Sequence, residues 1–522
     1  MAARFMHLHH LRDRDQEFLD SLRSPDPEHT GGGWGLGGGN EEKAEDEDEE
    51  DNMDWDQAQA VVERMVSQFL PIEFIIIGGG VAGLTAACAL SKVGHRVTVL
   101  EQGDDFMQTE FSGGCRLAPN MTKKYYDWGL EEEFRKISMT GHYITLAYYD
   151  SGNVSIAAEW GRDYFAVDRV GEYVQMHFAD FRRVLYESAL KFGATIRSKT
   201  VVKALSPTSN RPSVTLDTGE EIFADVLVGA DGSHSISRAT MIGGADEMTR
   251  KNLALFNAEI PREKLAADPD VAQFLTENQY GQLILWMGDG KGAIGFCTAR
   301  EEFTIQAFLP DPKGMPFPCS AVDKSTLLEA MQGCEPRLYK LAQMSDRALV
   351  TPIVERPHLE DWVHENGRML VIGEAAHPLT TGSVYAPGLA AGDAMMLGRL
   401  FSHLRSHEQI TPFLFAVEEV RQKRIARALK VQMVNPAVLS LPAGVEHKES
   451  LKVAENITDL SPVELNELLE EALTIVFTYD PEDEADDWWM QWGMLRERAG
   501  SAAQMSFSSI PFVQEDVQTT SD

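Results

Sequence analysis

Residues 73–101 read EFIIIGGGVAGLTAACALSKVGHRVTVLE. The apolar run Glu73–Ile77 has no polar alternation, as expected of a parallel strand covered on both faces. Gly78-Gly79-Gly80 follows, then Val81–Val93 with helical composition. Gly94 closes that helix, and Arg96–Leu100 forms a second strand ending at Glu101. This is β-α-β within about thirty residues, with G-x-G-x-x-G at 78, 80 and 83, the unit of a dinucleotide-binding fold. Gly78 permits the tight turn, Gly80 lets a pyrophosphate approach the backbone, and Gly83 allows close helix–strand packing. The phosphates then lie over Gly79, Val81 and Ala82, where free N–H groups and the helix dipole favour anions. A carboxylate at Glu101 accepts both hydroxyls of an adenosine ribose and repels a 2′-phosphate, which suits FAD or NAD and disfavours NADP.

Two further buried strands lie at Asp225–Ala230 and Arg368–Gly373. Between them, Leu253–Ile260, Gln282–Met287, Ala293–Thr298 and Phe303–Phe308 are strand-like and joined by turns such as Gly288-Asp289-Gly290. That spacing predicts an antiparallel sheet inserted into the α/β domain. After Asp393 the chain reads as mostly helical, with a capped helix start at Ser461–Glu464; Asp480–Trp489 (DPEDEADDWW) follows, then a polar tail. The fold class is α/β: a Rossmann-like nucleotide-binding domain over 71–245 and 346–440, a sheet domain over 246–345, and a helical extension with a polar tail over 441–522.

Residues 1–70 differ in texture. They contain the glycine-rich Gly31–Gly39 and the acidic block Glu41–Asp51, and carry 6 Lys+Arg against 18 Asp+Glu. Such a stretch buries too little apolar surface to offset its ordering entropy and reads as a disordered acidic arm. The whole chain, 522 residues with a net charge of −34, repels nucleic acid and anionic membrane surfaces. Its apolar runs are too short for stable membrane insertion. Five cysteines without CxxC or metal-ligand spacing suit reduced thiols, a cytoplasmic protein and no metal site.

Asp225–Arg238 (DVLVGADGSHSISR) and Gly367–Pro378 (GRMLVIGEAAHP) resemble the two later flavin motifs of the group A flavoprotein monooxygenases, which include salicylate hydroxylase and para-hydroxybenzoate hydroxylase. Gly113–Asn120 (GGCRLAPN) is similar to the family's G-x-L-x-P-N segment, which implies Gly114 near a flavin. Trp286–Ile305 resembles the strand pair of the family's substrate domain, whose sheet faces the flavin across a buried pocket. The resemblance runs from about Ile72 to Phe401. It implies FAD as cofactor, with contacts from Asp231, Glu374 and Pro387, and NAD(P)H as a transient electron donor. It further implies a C4a-hydroperoxide that hydroxylates a small aromatic substrate. The physical reading runs parallel: at Gly373–Ala376 a buried strand ends in an acid before small residues start a helix, so the carboxylate reaches a ribityl hydroxyl. Asp231 stands at a strand-to-helix turn, as cap or as cofactor contact. His377 supports the loop.

Three positions depart from the family pattern. Glu374 replaces its Asp, Val384-Tyr385-Ala386 its GQG, and Phe178 the Arg of HRxDL. Arg182, one helical turn on, is placed to substitute for that Arg. If Ala386 cannot adopt the angles of the lost glycine, turnover leaks peroxide and Ala386→Gly raises coupling. The alternative functions are a flavin-binding protein of the same fold with little turnover, or another flavin oxidoreductase such as a halogenase or reductase. The halogenase WxWxIP pattern is absent, since Trp489-Met490-Gln491-Trp492 continues Gly-Met. The sequence names no catalytic acid or base and leaves NADH against NADPH, and the oligomeric state, open.

Overall fold

The computed structural model describes residues 69–103, 113–159, 171–278, 281–312, 319–429, 439–442 and 477–493. The acidic arm and the helix start at 461–464 lie outside them. Strand β1 (Glu73–Ile77) is buried over its last four residues and forms the centre of a five-stranded parallel sheet. Its neighbours are β2 (Arg96–Leu100) and β8 (Thr195–Arg197) on one side, and β12 (Val226–Gly229) and β19 (Met369–Val371) on the other. Register runs Ile77↔Leu100 and Ile77↔Gly229, so the glycine turn after β1 opens at the carboxyl ends of three strands. Ligands bind at that edge of a doubly wound sheet.

Helix α1 (Val81–Lys92) is buried from Val81 to Ser91 because its face toward the sheet and its face toward a second helix are both alanine-rich. Helices α2 (Pro119–Asp127), α3 (Glu131–Ile137), α4 (Phe178–Lys191) and α5 (Ile236–Ile242) complete the first half of the domain. Two small sheets flank it, one of β3 (Gly114–Leu117), β7 (Val174–His177) and β4 (Ser138–Thr140), the other of β9 (Val202–Ser206), β10 (Ser213–Leu216) and β11 (Glu221–Phe223).

The large sheet has eight strands: β17 (Ser320–Asp323), β18 (Arg347–Glu355), β13 (Thr249–Pro261), β16 (Glu302–Leu309), β15 (Gly292–Thr298), β14 (Gln282–Met287), β5 (Tyr143–Tyr148) and β6 (Val154–Glu159). All pairs are antiparallel except β14 with β5. The sheet therefore draws strands from 143–159 and 347–355 as well as from the 246–345 read as its domain. One face packs on α6 (Arg262–Ala266), α7 (Gln273–Asn278), α8 (Lys324–Ala330) and α9 (Pro336–Met344), around Phe256, Ile260, Phe303 and Leu338. The other face carries Leu255, Ile294, Phe296 and Phe308, which join the core of the nucleotide-binding domain. The chain ends its described fold with α10 (Tyr385–Phe401), α11 (Ile410–Ala428) and α12 (Pro481–Trp488). Among the described residues no helix is long and apolar enough to cross a membrane, and all five cysteines are free.

Candidate active site

Gly78 takes φ +102°, and a Cβ there would lie 2.5 Å from the Ala230 carbonyl oxygen. Gly80 caps α1 in extended conformation with no side-chain cap on the helix, and a Cβ on it would meet nothing within 4 Å. The N–H groups of Val81 and Ala82 and the positive end of α1 thus face open space, the cradle a diphosphate fits. At the end of β2, Glu101 Oε2 accepts the Gly79 N–H at 2.6 Å and Oε1 accepts that of Gly103 at 2.7 Å. Each carboxylate oxygen keeps a second lone pair for a ribose hydroxyl. Arg182, on α4, donates its Nε–H to the Gly79 carbonyl at 2.9 Å, with its guanidinium 3.6 Å from Glu101. Phe178, at the family's arginine position, packs against the core instead. The structure therefore brings Gly78, Gly79, Gly80, Val81, Ala82, Gly83, Glu101 and Arg182 to one edge.

Replacing Glu101 with Gln puts an NH₂ against a backbone N–H and removes a charged acceptor. FAD affinity is expected to fall by about tenfold or more, since hydrogen bonds to charged groups contribute roughly 1.5–3 kcal/mol. Titrating apoprotein with FAD and following flavin fluorescence reads this directly. An affinity within twofold of wild type removes Glu101 from the site.

Asp231 precedes a 3-10 turn over Gly232–His234 and supports the start of α5 without being that helix's N-cap residue. Ser235 caps α5 by accepting the Arg238 N–H at 2.7 Å, while Asp231 accepts the Ser235 hydroxyl and the Ser237 N–H, the latter at 3.0 Å. Burial raises the Asp231 carboxyl pKa against those hydrogen bonds. The segment after β19 also corrects the sequence reading. Gly373–Ala375 makes a single 3-10 turn, and the next helix, α10, starts only at Tyr385. Glu374 therefore stands on a turn and not at the head of a helix. Its side chain is open to solvent while protein crowds it closely enough for desolvation to raise its pKa, against Arg356 and His377. Both hold for a group on a cleft wall. Its Oε2 lies 3.9 Å from where a Cβ on Gly232 would be, so Asp231-Gly232 and Glu374 face each other.

At the far end, β3 lies against the large sheet. Gln306 donates to the Gly114 carbonyl at 2.7 Å, and a Cβ on Gly114 would press on Phe296 and Thr304. Arg116, two residues on, donates to Gln306 Oε1 at 3.1 Å and to the Gly382 carbonyl at 2.6 Å. The 382–388 segment differs from the expectation. Residues 385–388 are the first turn of α10, and the positive φ falls on Gly382, not on Ala386. Ala386 is a helical residue that needs no glycine angles, so the reason for Ala386→Gly to raise coupling is absent. Pro387 has no N–H, and Gly388 falls within the helix ladder, leaving the Ala386 N–H as the donor at this helix end. Tyr385 N–H is held by Ser383 Oγ at 3.2 Å.

Buried polar atoms without hydrogen-bond partners lie on β3, β7 and the large sheet, among them Arg116 Nε, Gln175 Oε1, Asn257 Oδ1 and Thr304 Oγ1. Such atoms cost free energy unless a ligand or water meets them. Together with the open helix end and the Glu374 cleft, they fit a long cofactor with a polar ring. His177, Glu259 and Glu302 bring one ligand atom each within 4.8 Å of one another. His177 Nδ1 accepts the Ala179 N–H at 3.2 Å, and its Nε2 faces Glu259 at 2.8 Å.

A shallow recess lies beside the start of α10, lined by Asn120, Met121, Tyr385, Gly388, Arg421 and Tyr479 among others. It is away from Glu101 and Glu374, and its wall is the C-terminal segment. Asn120 donates to the Tyr479 carbonyl at 3.0 Å, Lys124 pairs with Asp480 at 2.9 Å, and Arg399 with Asp486 at 2.7 Å. Phe477 stacks on Tyr385, with ring centroids 6.3 Å apart. Sequence reasoning missed this strap and Arg116, although a charge inside the buried strand GCRL was a visible signal.

Comparison with known proteins agrees with this geometry. Residues 72–316 match the family model described as FAD binding domain. The chain is 26% identical over 379 residues to an FAD-dependent monooxygenase, OpS4, of Beauveria bassiana, covering 72% of this chain and 87% of that one. It is 24% identical over 358 residues to 3-hydroxybenzoate 6-hydroxylase of Klebsiella oxytoca, covering 68% and 85%. Among solved structures, CtdE in complex with FAD and a substrate superposes with TM-score 0.66 at 18% identity, covering 82% of this chain and all of that one. Residues 72–316 thus carry an FAD binding domain, and the chain is similar in sequence and fold to FAD-dependent monooxygenases.

Proposed function

We propose that the protein is an FAD-dependent monooxygenase that hydroxylates a small aromatic or phenolic molecule, with NAD(P)H as transient donor and O₂ as oxidant. The observation that carries this reading is the open N-terminus of α1 after the glycine turn, with Glu101 beside it at the carboxyl ends of the parallel strands. The names of similar proteins, a monooxygenase and a hydroxybenzoate hydroxylase, support it.

Gly79, Gly80, Val81 and Ala82 would hold the diphosphate, Glu101 the adenosine ribose and Glu374 the ribityl chain; Gly114 and the Ala386 N–H would border the ring. When bound, FAD supplies the redox and oxygen-transfer chemistry, which no side chain here carries. The chain's part is orientation and exclusion of water. Leu255, Phe296 and Phe308 form a dry wall, and Phe477 closes the side where α10 begins. A fixed N–H at Ala386 and the end of α10 stabilise negative charge developing beside them.

The test is direct. Purified protein is expected to be yellow with releasable FAD, and to oxidise NAD(P)H faster in the presence of aromatic acids or phenols, giving a product one oxygen heavier. Bound FAD without stimulated oxidation favours the second reading, a flavin-binding protein of this fold, for which the helical 385–388 segment in place of a glycine loop is the observation. A colourless protein that FAD cannot reconstitute overturns both.

A further inference from the structure

Arg116 is 6% exposed, yet among the described residues no carboxylate pairs with it. Its partners are neutral: Gln306 Oε1, the Gly382 carbonyl, the Tyr173 hydroxyl and the Phe296 ring, 5.5 Å from the guanidinium carbon. Nε has no partner at all. A buried cation without a counter-ion is costly, and carbonyl dipoles with one ring face offset only part of that cost. A neighbouring amide is left short as well: Gln175, fully buried and directly across from Arg116 in the β3–β7 ladder, has a free Oε1. The remaining surroundings are aromatic, and Arg116 lies within electrostatic reach of the Tyr173 and Tyr385 hydroxyls. A buried guanidinium with only neutral partners and an unused Nε–H is a recognition element for an anionic group, and the free Gln175 Oε1 beside it suits a ring hydroxyl as donor.

We infer that Arg116 is the counter-cation for a carboxylate or phenolate on the aromatic substrate and sets the specificity of the site for anionic rings. This rests on the aromatic-hydroxylase reading, but it is read by binding and not by turnover. The FAD-loaded full-length protein is titrated with 2-hydroxybenzoate and with 2-hydroxybenzamide, following the flavin absorbance.

Wild type is expected to bind the carboxylate at least about 30-fold more tightly than the amide, the lower range for a buried charge pair. Arg116→Gln is expected to lose that factor for the carboxylate and to change amide binding less than threefold; Arg116→Lys retains part of it. Absence of charge preference in wild type overturns the inference without any variant. So does an equal loss for both ligands, which marks a structural role. Unchanged discrimination with a lowered flavin reduction potential assigns Arg116 to the reduced cofactor and also overturns it. A protein that shows the preference but oxidises no NAD(P)H defeats the hydroxylase reading while Arg116 stands. Turnover of neutral phenols without preference does the reverse.

Discussion

Gly80→Val is expected to give a folded protein that purifies colourless, whereas Gly83→Val is expected not to fold. The two glycines stand three residues apart in one motif and answer to different physics. A Cβ on Gly83 would lie 2.0 Å from the Gly78 carbonyl oxygen, a backbone atom that cannot yield without displacing α1 from β1. Overpacking of a tight site costs about 1–3 kcal/mol, and a clash with backbone lies at or beyond the top of that range. A Cβ on Gly80 meets nothing within 4 Å, and its backbone angles are ordinary for any residue. The fold tolerates valine there, but the branched side chain occupies the space before the free N–H groups of α1. FAD affinity is expected to drop more than about 100-fold, roughly 3 kcal/mol. Circular dichroism and flavin content, measured on both variants, separate the effects. A yellow Gly80→Val protein with wild-type affinity would mean that this turn does not hold the diphosphate.

The same contrast explains what could be read from the chain. The β1-α1-β2 unit was legible because the whole constraint is local: an apolar run, three glycines and an acid within thirty residues. Strands β13 to β16 were legible through their apolar runs and glycine turns, with ends shifted by a few residues. The β5–β6 hairpin was not placed, although Tyr143–Tyr148, a turn at 150–153 and Val154–Glu159 have strand composition. Its membership of the large sheet depends on the parallel register Gln282↔Tyr143, across more than a hundred residues, which no periodicity encodes. Glu374 failed for a related reason. An acid followed by Ala375-Ala376 looks like a helix start, but one 3-10 turn forms and the chain runs without helix to Val384 before α10 begins. The place of Arg182 was legible because helical tilt fixes where a side chain one turn on will reach.

The tie between that turn and the rest of the fold is Asp393, and Asp393→Asn is expected to cost about 3–5 kcal/mol together with much of the bound flavin. Asp393 is fully buried on α10. Its Oδ1 accepts from Arg421 Nε at 2.7 Å; its Oδ2 accepts the Gly373 N–H at 2.9 Å and faces His377 Nε2 at 2.6 Å. Arg421, 1% exposed on α11, also donates to the Tyr479 hydroxyl at 2.9 Å and the Leu389 carbonyl at 3.0 Å. One carboxylate thus fastens the Glu374 turn, two helices and the C-terminal strap. Asparagine keeps the shape but leaves Arg421 buried without its counter-charge, and a buried unpaired charge is the costly outcome. Arg421→Met in the same background is expected to recover part of the loss, because it removes that charge. The pH dependence follows in sign. Burial raises the Asp393 carboxyl, but the charges and hydrogen bonds of His377 and Arg421 outweigh it and hold the native pKa below the ordinary value. The pair's contribution is complete above the unfolded carboxylate pKa, about 4, and is lost as pH falls through the depressed native value. The gap in stability between wild type and Asp393→Asn is therefore expected to be widest near neutrality and to close in acid. Urea unfolding at a series of pH values, with flavin content recorded at neutral pH, measures both consequences. A constant gap across pH would show that the loss comes from packing and not from the charge. A variant as stable and as yellow as wild type would remove Asp393 as the link between fold and cofactor turn.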